Sequence, residues 1–156
     1  PDILVTGKAL GGGMPIGAFT ASSELMDLLM DNPKLGHITT FGGHPVIAAS
    51  ALATLKEITE SNLMAQALKK EKLFRKLLIH PLIKEIRGKG LMLAVITPSE
   101  SITTSIILKA QDNGLILFWL LFEPTAVRIT PPLNISNDEI IAGCDLIIDI
   151  LNNIDE

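Results

Sequence analysis

The sequence predicts an α/β protein whose later part is a layered α+β unit, and three observations predict it. From about residue 61 onward, segments of helical and of strand period alternate. Glycine is segregated, with eight of twelve in residues 1–50 (Gly7, Gly11, Gly12, Gly13, Gly17, Gly36, Gly42 and Gly43). Glycine-dense loops let backbone approach a ligand closely, so the first third reads as a site and the rest as scaffold. Finally, Ser136-Asn137-Asp138-Glu139 is a capping box ahead of an apolar stripe.

The elements follow in order. Ile3 to Val5 is a short apolar strand entering a glycine-rich loop, and Ile16 to Ala21 is a second strand. Ser22 or Ser23 caps a short helix through Met30, stopped by Asn32-Pro33. Pro45 suits the first position of a helix that runs to about Glu60. A second long helix, Leu63 to Leu78, is expected to carry Lys69, Lys70, Lys72, Arg75 and Lys76 on its wet side. Strands are expected at Ile83–Ile86 and Leu91–Ile96, flanking Arg87-Gly88-Lys89-Gly90. Ser101 to Asn113 reads as a helix ended by Gly114. Leu115–Phe122 and Ala126–Thr130 read as paired strands around Glu123-Pro124. In the last helix Ile140, Ile141, Cys144, Ile147, Ile148, Leu151 and Ile154 form one apolar face, so Cys144 is a core residue. A boundary falls near Glu60 to Asn62, dividing residues 1–60 from 61–156.

Composition narrows the function classes. The 156 residues are 47% hydrophobic and 19% charged, a globular balance with a full core. The net charge of −4, from 13 basic and 17 acidic residues with no block of five like charges, gives no footprint for nucleic acid or an anionic membrane. The longest apolar run, Leu115 to Phe122, is eight residues, against about 20 for a membrane helix. Cys144 is the only cysteine, which removes disulfides and cysteine zinc sites and suits a reducing cytoplasm. The histidines fit no metal spacing, so no metal is expected.

Three constellations could carry chemistry. The run Thr6-Gly7-Lys8-Ala9-Leu10-Gly11-Gly12-Gly13-Met14-Pro15-Ile16-Gly17 matches neither a P-loop nor the dinucleotide fingerprint. What remains is Lys8 at the end of an apolar strand. An amine against apolar surface loses hydration, which favours the free nucleophile a Schiff base needs; the plain alternative is a lysine snorkelling at a strand end. Thr39-Thr40-Phe41-Gly42-Gly43-His44-Pro45 sets two hydroxyls before a helix N-terminus, which suits an anion or ordinary capping. Arg128, in the apolar run Ala126-Val127-Arg128-Ile129-Thr130, needs an anionic partner, either structural or a substrate carboxylate.

Taken together, these segments resemble the class III aminotransferases, pyridoxal-phosphate enzymes of fold type I, over essentially the whole chain. Pro1-Asp2-Ile3 through Ala18 is similar to the segment of the cofactor lysine, and Thr39 to Pro45 to the family's phosphate-contact loop. Arg87-Gly88-Lys89-Gly90-Leu91-Met92 and Arg128-Ile129-Thr130-Pro131-Pro132-Leu133 are similar to two small-domain signatures. The resemblance implies that Lys8 bonds pyridoxal 5′-phosphate and shuttles a proton. It implies that Thr40, with Thr39 beside it, binds the cofactor phosphate of a neighbouring subunit in a homodimer. Arg128 would hold a substrate carboxylate.

The implied reaction moves an amino group from an ornithine-, acetylornithine- or ω-amino-type donor to a 2-oxo acid. The alternatives are a glutamate-1-semialdehyde aminomutase and a non-catalytic fragment or dimerisation module. The family's cofactor lysine lies past the middle of a longer chain, whereas here it is residue 8 and no initiator Met precedes it. The expectation is therefore the C-terminal portion of such an enzyme: residues 1–60 from the cofactor-binding large domain, 61–156 the small domain. The ring-nitrogen Asp, the stacking aromatic and the first phosphate loop would lie upstream, leaving this chain alone inactive.

Overall fold

The computed structural model describes residues 1–154. The chain divides into two compact units between Ser61 and Asn62, and the core lies in the second. In the first unit only Gly11 and Ala51 are buried, so the full core that composition predicts is concentrated after residue 61. Among the described residues no helix is long and apolar enough to cross a membrane.

The first unit opens with an antiparallel pair, β1 (Ile3–Gly7) and β2 (Gly17–Ala21), in register from Ile3 opposite Ala21 to Gly7 opposite Gly17. A 3₁₀ turn, Lys8–Gly11, follows β1 directly. Helix α1 (Ser23–Asp27) starts where Ser22 Oγ accepts from the Leu25 amide at 3.4 Å. It ends at Asp27 rather than at Met30. Leu28 and Met30 are 72% and 60% exposed, and a helix this short persists only where packing supports it. Helix α2 (Pro45–Glu60) begins at the proline, as expected.

The second unit is a four-stranded antiparallel sheet of order β3-β4-β6-β5 with three helices, α3 (Leu63–Leu77), α4 (Glu100–Asp112) and α5 (Asn137–Asn152). Phe74 of α3, Ile106 and Ala110 of α4, and Ile140, Cys144 and Leu151 of α5 pack with Leu93, Val95, Val127 and Ile129 of the sheet. The capping box forms: the Glu139 amide donates to Ser136 Oγ at 3.2 Å, and the Ser136 amide to Glu139 Oε2 at 2.7 Å. The expected α5 stripe is buried at Ile140, Cys144, Ile147 and Leu151, but Ile141 is exposed and Ile150, on the other flank, is buried. Burial pushes the Cys144 thiol up to about 12, as befits a core side chain.

Three further expectations are corrected. Strand β3 is Glu85–Lys89 and β4 Met92–Ile96, so Arg87-Gly88-Lys89 lies inside the strand. Pairing of Lys89 with Met92 leaves only Gly90 and Leu91 for the turn. Strand β5 is only Phe118–Leu120, and Glu123-Pro124 belong to β6 (Glu123–Ile129). Leu115 is drawn into the end of α4: its amide reaches the Ala110 carbonyl at 2.9 Å while Gly114, at φ +83°, bonds Gln111 at 3.1 Å. That is a Schellman cap, which takes Leu115 out of any ladder. A register irregularity at Trp119/Leu120 shortens β5 further.

The third correction concerns the basic face of α3. Lys70 is buried, and its Nζ donates to the Leu133 carbonyl at 2.7 Å. Arg75 clamps the β3–β4 hairpin. Its Nε reaches Glu71 at 2.9 Å, and its Nη atoms reach the carbonyls of Ile86 at 2.5 Å and Gly88 at 2.9 Å. Glu71 closes the clamp by accepting from the Gly90 amide at 2.6 Å.

The Gly90 amide, and then Arg75, hold the Glu71 carboxyl below its ordinary value of 4.5. A carboxylate stabilised in the folded state adds stability that is complete above the unfolded value and fades as pH falls through the folded one. Glu71→Gln is therefore expected to lower the urea midpoint at pH 7, and its deficit against the parent should shrink as pH drops below about 4.5. Urea titrations of both proteins across pH 3–7 check this.

Candidate active site

Two non-glycine residues of the first unit, Lys8 and Leu35, have a positive φ, and Lys8 is the one beside the glycine-rich turn. Strand β1 ends at Gly7, and Lys8 turns at φ +49°, a left-handed conformation uncommon for a residue with a side chain. Such backbones persist only where neighbours over-determine them, and they cluster at functional sites. Lys8 is exposed, which corrects the expectation of an amine pressed against apolar surface. Among the described residues its amine has no hydrogen-bond or ion-pair partner.

The turn behind Lys8 is tightly bonded. The Gly12 amide reaches the Ala9 carbonyl at 3.1 Å, and the Met14 amide the Gly11 carbonyl at 3.0 Å. Helix α2 fastens it from the side: Ser50 Oγ donates to the Gly11 carbonyl at 2.7 Å, and Thr54 Oγ1 donates to the Ser50 carbonyl at 3.0 Å. Gly12, at φ +57°, passes so close that an added Cβ would collide with Thr54 Oγ1. Ser50 and Thr54 do not stand out in the sequence as site residues. Two hydroxyls four residues apart in an alanine-rich helix, one turn's spacing on a single face, were the available signal.

Thr39 and Thr40 precede α2. The Gly42 amide bonds the Thr39 carbonyl and the His44 amide the Phe41 carbonyl, both at 3.2 Å. The N-cap of α2 is His44, with no side-chain bond, so the capping alternative for the two threonines is not realised. Among the described residues neither threonine hydroxyl has a hydrogen-bond partner. A cavity of about 350 Å³ brings Thr39, Gly42, Gly43 and His44 together with Pro15, Ile16 and Gly17. Thr40 and Lys8 are not among its lining residues.

Arg128 lies in the second unit, on β6 between Ala94 of β4 and Phe118 of β5. Val127 and Ile129 are buried on either side of it; Arg128 alternates away from them, its guanidinium carbon 5.0 Å from the Phe118 ring centre. Of the two partners expected, the structural one is not found: no carboxylate pairs with Arg128 among the described residues. Its Nε is buried without a hydrogen bond, a costly arrangement. A cavity of about 120 Å³, lined in part by Phe74, Leu117, Phe118 and Glu139, opens beside it.

A family model described as aminotransferase class-III matches residues 1–151. Among solved structures, the chain is similar to an acetylornithine aminotransferase from Elizabethkingia anophelis at 34% identity and TM-score 0.83, over 99% of this chain and 39% of that one. It is similar to the ornithine aminotransferase of Toxoplasma gondii, whose structure is described with partial occupancy of PLP at the active site, at 33% identity and TM-score 0.84, over 96% and 36%. It is also similar to adenosylmethionine-8-amino-7-oxononanoate aminotransferase from Methanocaldococcus jannaschii, at 25% identity and TM-score 0.85, over 100% and 40%. The chain thus spans about two fifths of the length of the solved structures it matches.

Gly12→Ala is expected to destabilise by more than the about 1–2 kcal/mol of a left-handed alanine, because the Thr54 collision adds to it. In a Thr54→Ala background the cost should be smaller, because the pair is coupled. Urea midpoints of the two single variants and the double variant check this.

Proposed function

We propose, from the premise that this chain belongs to the class III aminotransferases, that it serves a transaminase moving an amino group from an ornithine-, acetylornithine- or ω-amino-type donor to a 2-oxo acid. The observation that carries the reading is Lys8, a partnerless amine on a left-handed turn at the end of β1, in a family that depends on pyridoxal phosphate. Relatives named for ornithine and acetylornithine support the donor class.

The residues present fit that cofactor. A free lysine amine suits its aldehyde, and partnerless threonine hydroxyls ahead of the α2 N-terminus suit its phosphate. When bound, pyridoxal phosphate supplies the electron sink for deprotonating an amino acid at carbon. Lys8 Nζ holds the cofactor before substrate arrives and then moves the proton at the substrate carbon, as a positioned general base and acid. Thr39 and Thr40 hold the phosphate of the cofactor in a neighbouring subunit, which makes the enzyme a homodimer. Arg128 fixes a substrate carboxylate, and its lack of a carboxylate partner among the described residues supports that role.

In this reading residues 1–60 are part of the cofactor-binding large domain and 61–156 form the small domain; positions 155 and 156 lie outside the described residues. The 156-residue chain by itself is inactive, and the enzyme works in the cytoplasm, which suits its lone buried thiol.

The full-length protein loaded with pyridoxal phosphate should show a visible absorption band, and Lys8→Ala should abolish it; an unchanged band would remove Lys8 from this role. Arg128→Ala should reduce kcat/KM for a carboxylate donor by on the order of 10- to 100-fold, the worth of one charge-assisted contact. The amide analogue of that donor should lose far less. Equal losses on both donors would exclude carboxylate binding by Arg128.

A further inference from the structure

The left-handed backbone of Lys8 needs something to hold it, and the first unit has almost no core to do so, since only Gly11 and Ala51 are buried there. The candidates are the polar groups of α2. A serine inside a helix commonly turns its hydroxyl back onto its own helix, four residues earlier. Thr54 does this, donating to the Ser50 carbonyl at 3.0 Å. Ser50 does not. Its hydroxyl leaves the helix and donates across 39 residues of sequence to the Gly11 carbonyl at 2.7 Å. That carbonyl also accepts from the Met14 amide at 3.0 Å, so both of its lone pairs are used. Gly11 is the last residue of the turn that Lys8 begins. Thr54 Oγ1 fills the space beside Gly12, the residue that caps the turn.

We propose that Ser50 and Thr54 are positioning residues for Lys8: the Ser50 hydroxyl pins the far end of the Lys8–Gly11 turn, Thr54 holds Gly12 in place, and together they fix the direction in which the Lys8 amine leaves β1. The proposal rests on the reading of Lys8 as the cofactor lysine. Neither hydroxyl touches cofactor or substrate. They set how often the amine occupies its reactive geometry, and small misplacements of a reacting group cost rate steeply.

The test uses the full-length protein with Ser50→Ala, Ser50→Thr, Thr54→Val and Lys8→Ala. Without cofactor, Ser50→Ala should raise amide hydrogen exchange in residues 9–14 by about tenfold, the worth of one hydrogen bond, while exchange through the rest of α2 stays at the parent level. On addition of pyridoxal phosphate, the visible band should appear about tenfold more slowly than in the parent. Ser50→Thr, which keeps the hydroxyl, should restore both quantities to within about twofold. Thr54→Val keeps the volume and should loosen residues 9–14 in the same direction; it serves as the second variant should Ser50→Ala fold poorly. Exchange and band formation within about twofold of the parent in Ser50→Ala and Thr54→Val would overturn the proposal. So would a rise in exchange spread evenly along α2, which marks a merely structural role. Lys8→Ala separates the two claims: a band that survives it removes the reading of Lys8, whereas a band lost there but unchanged in Ser50→Ala removes only the role of Ser50.

Discussion

The hydrogen bond from the Ser50 hydroxyl to the Gly11 carbonyl ties helix α2 to the turn that follows Lys8. Lys8 leaves β1 in a left-handed conformation that its side chain disfavours. The turn after it carries glycines at 11, 12 and 13, which impose little conformation of their own. In a unit with so little buried apolar surface, shape has to come from directed bonds. Gly11 is where they converge, with Met14 on one lone pair and Ser50 on the other. The helix that supplies Ser50 is the same helix whose N-terminus follows Thr39 and Thr40. One element thus organises both segments to which cofactor chemistry is assigned.

The second unit is built on the opposite principle. Among the described residues sixteen buried side chains form one cluster from all three helices and the sheet, and that apolar core sets its shape. Its polar groups then have local tasks. Glu71 and Arg75 tie the β3–β4 hairpin to α3 through its backbone groups. Arg128 is the exception. The sheet holds its guanidinium over Phe118 and leaves Nε buried and unbonded. A rigid scaffold that presents an unsatisfied cation is suited to recognising a carboxylate, because the scaffold has already borne the cost of burial.

Much of the fold was legible because local chemistry agreed with the global structure. Pro45 starts α2, Gly114 ends α4 and the Ser136/Glu139 box starts α5, each through bonds within a few residues. Some misreadings came from a bond that crosses the sequence, others from a local bond that claims a residue's amide. Lys70 looks like a solvated member of a basic face, but its amine is taken by the carbonyl of Leu133, 63 residues away. Leu115 looks like the start of a strand, but the cap of α4 claims its amide. The site shows the same division. Lys8, Thr39, Thr40 and Arg128 stand out by residue type against their neighbours. Ser50 and Thr54 stand in an ordinary alanine-rich helix, and only the folded chain brings them to the glycine turn.

The central claim, that Lys8 is where pyridoxal phosphate attaches, is tested most directly by locating the cofactor chemically. Hydride reduction of the loaded full-length protein fixes the group to its lysine, and trypsin digestion with mass mapping then finds it. Trypsin does not cut after a modified lysine, so the account predicts the added mass on a peptide that runs through Lys8 and ends at Lys34, the next basic residue. Added mass on any other lysine, with cleavage after Lys8 intact, would contradict it.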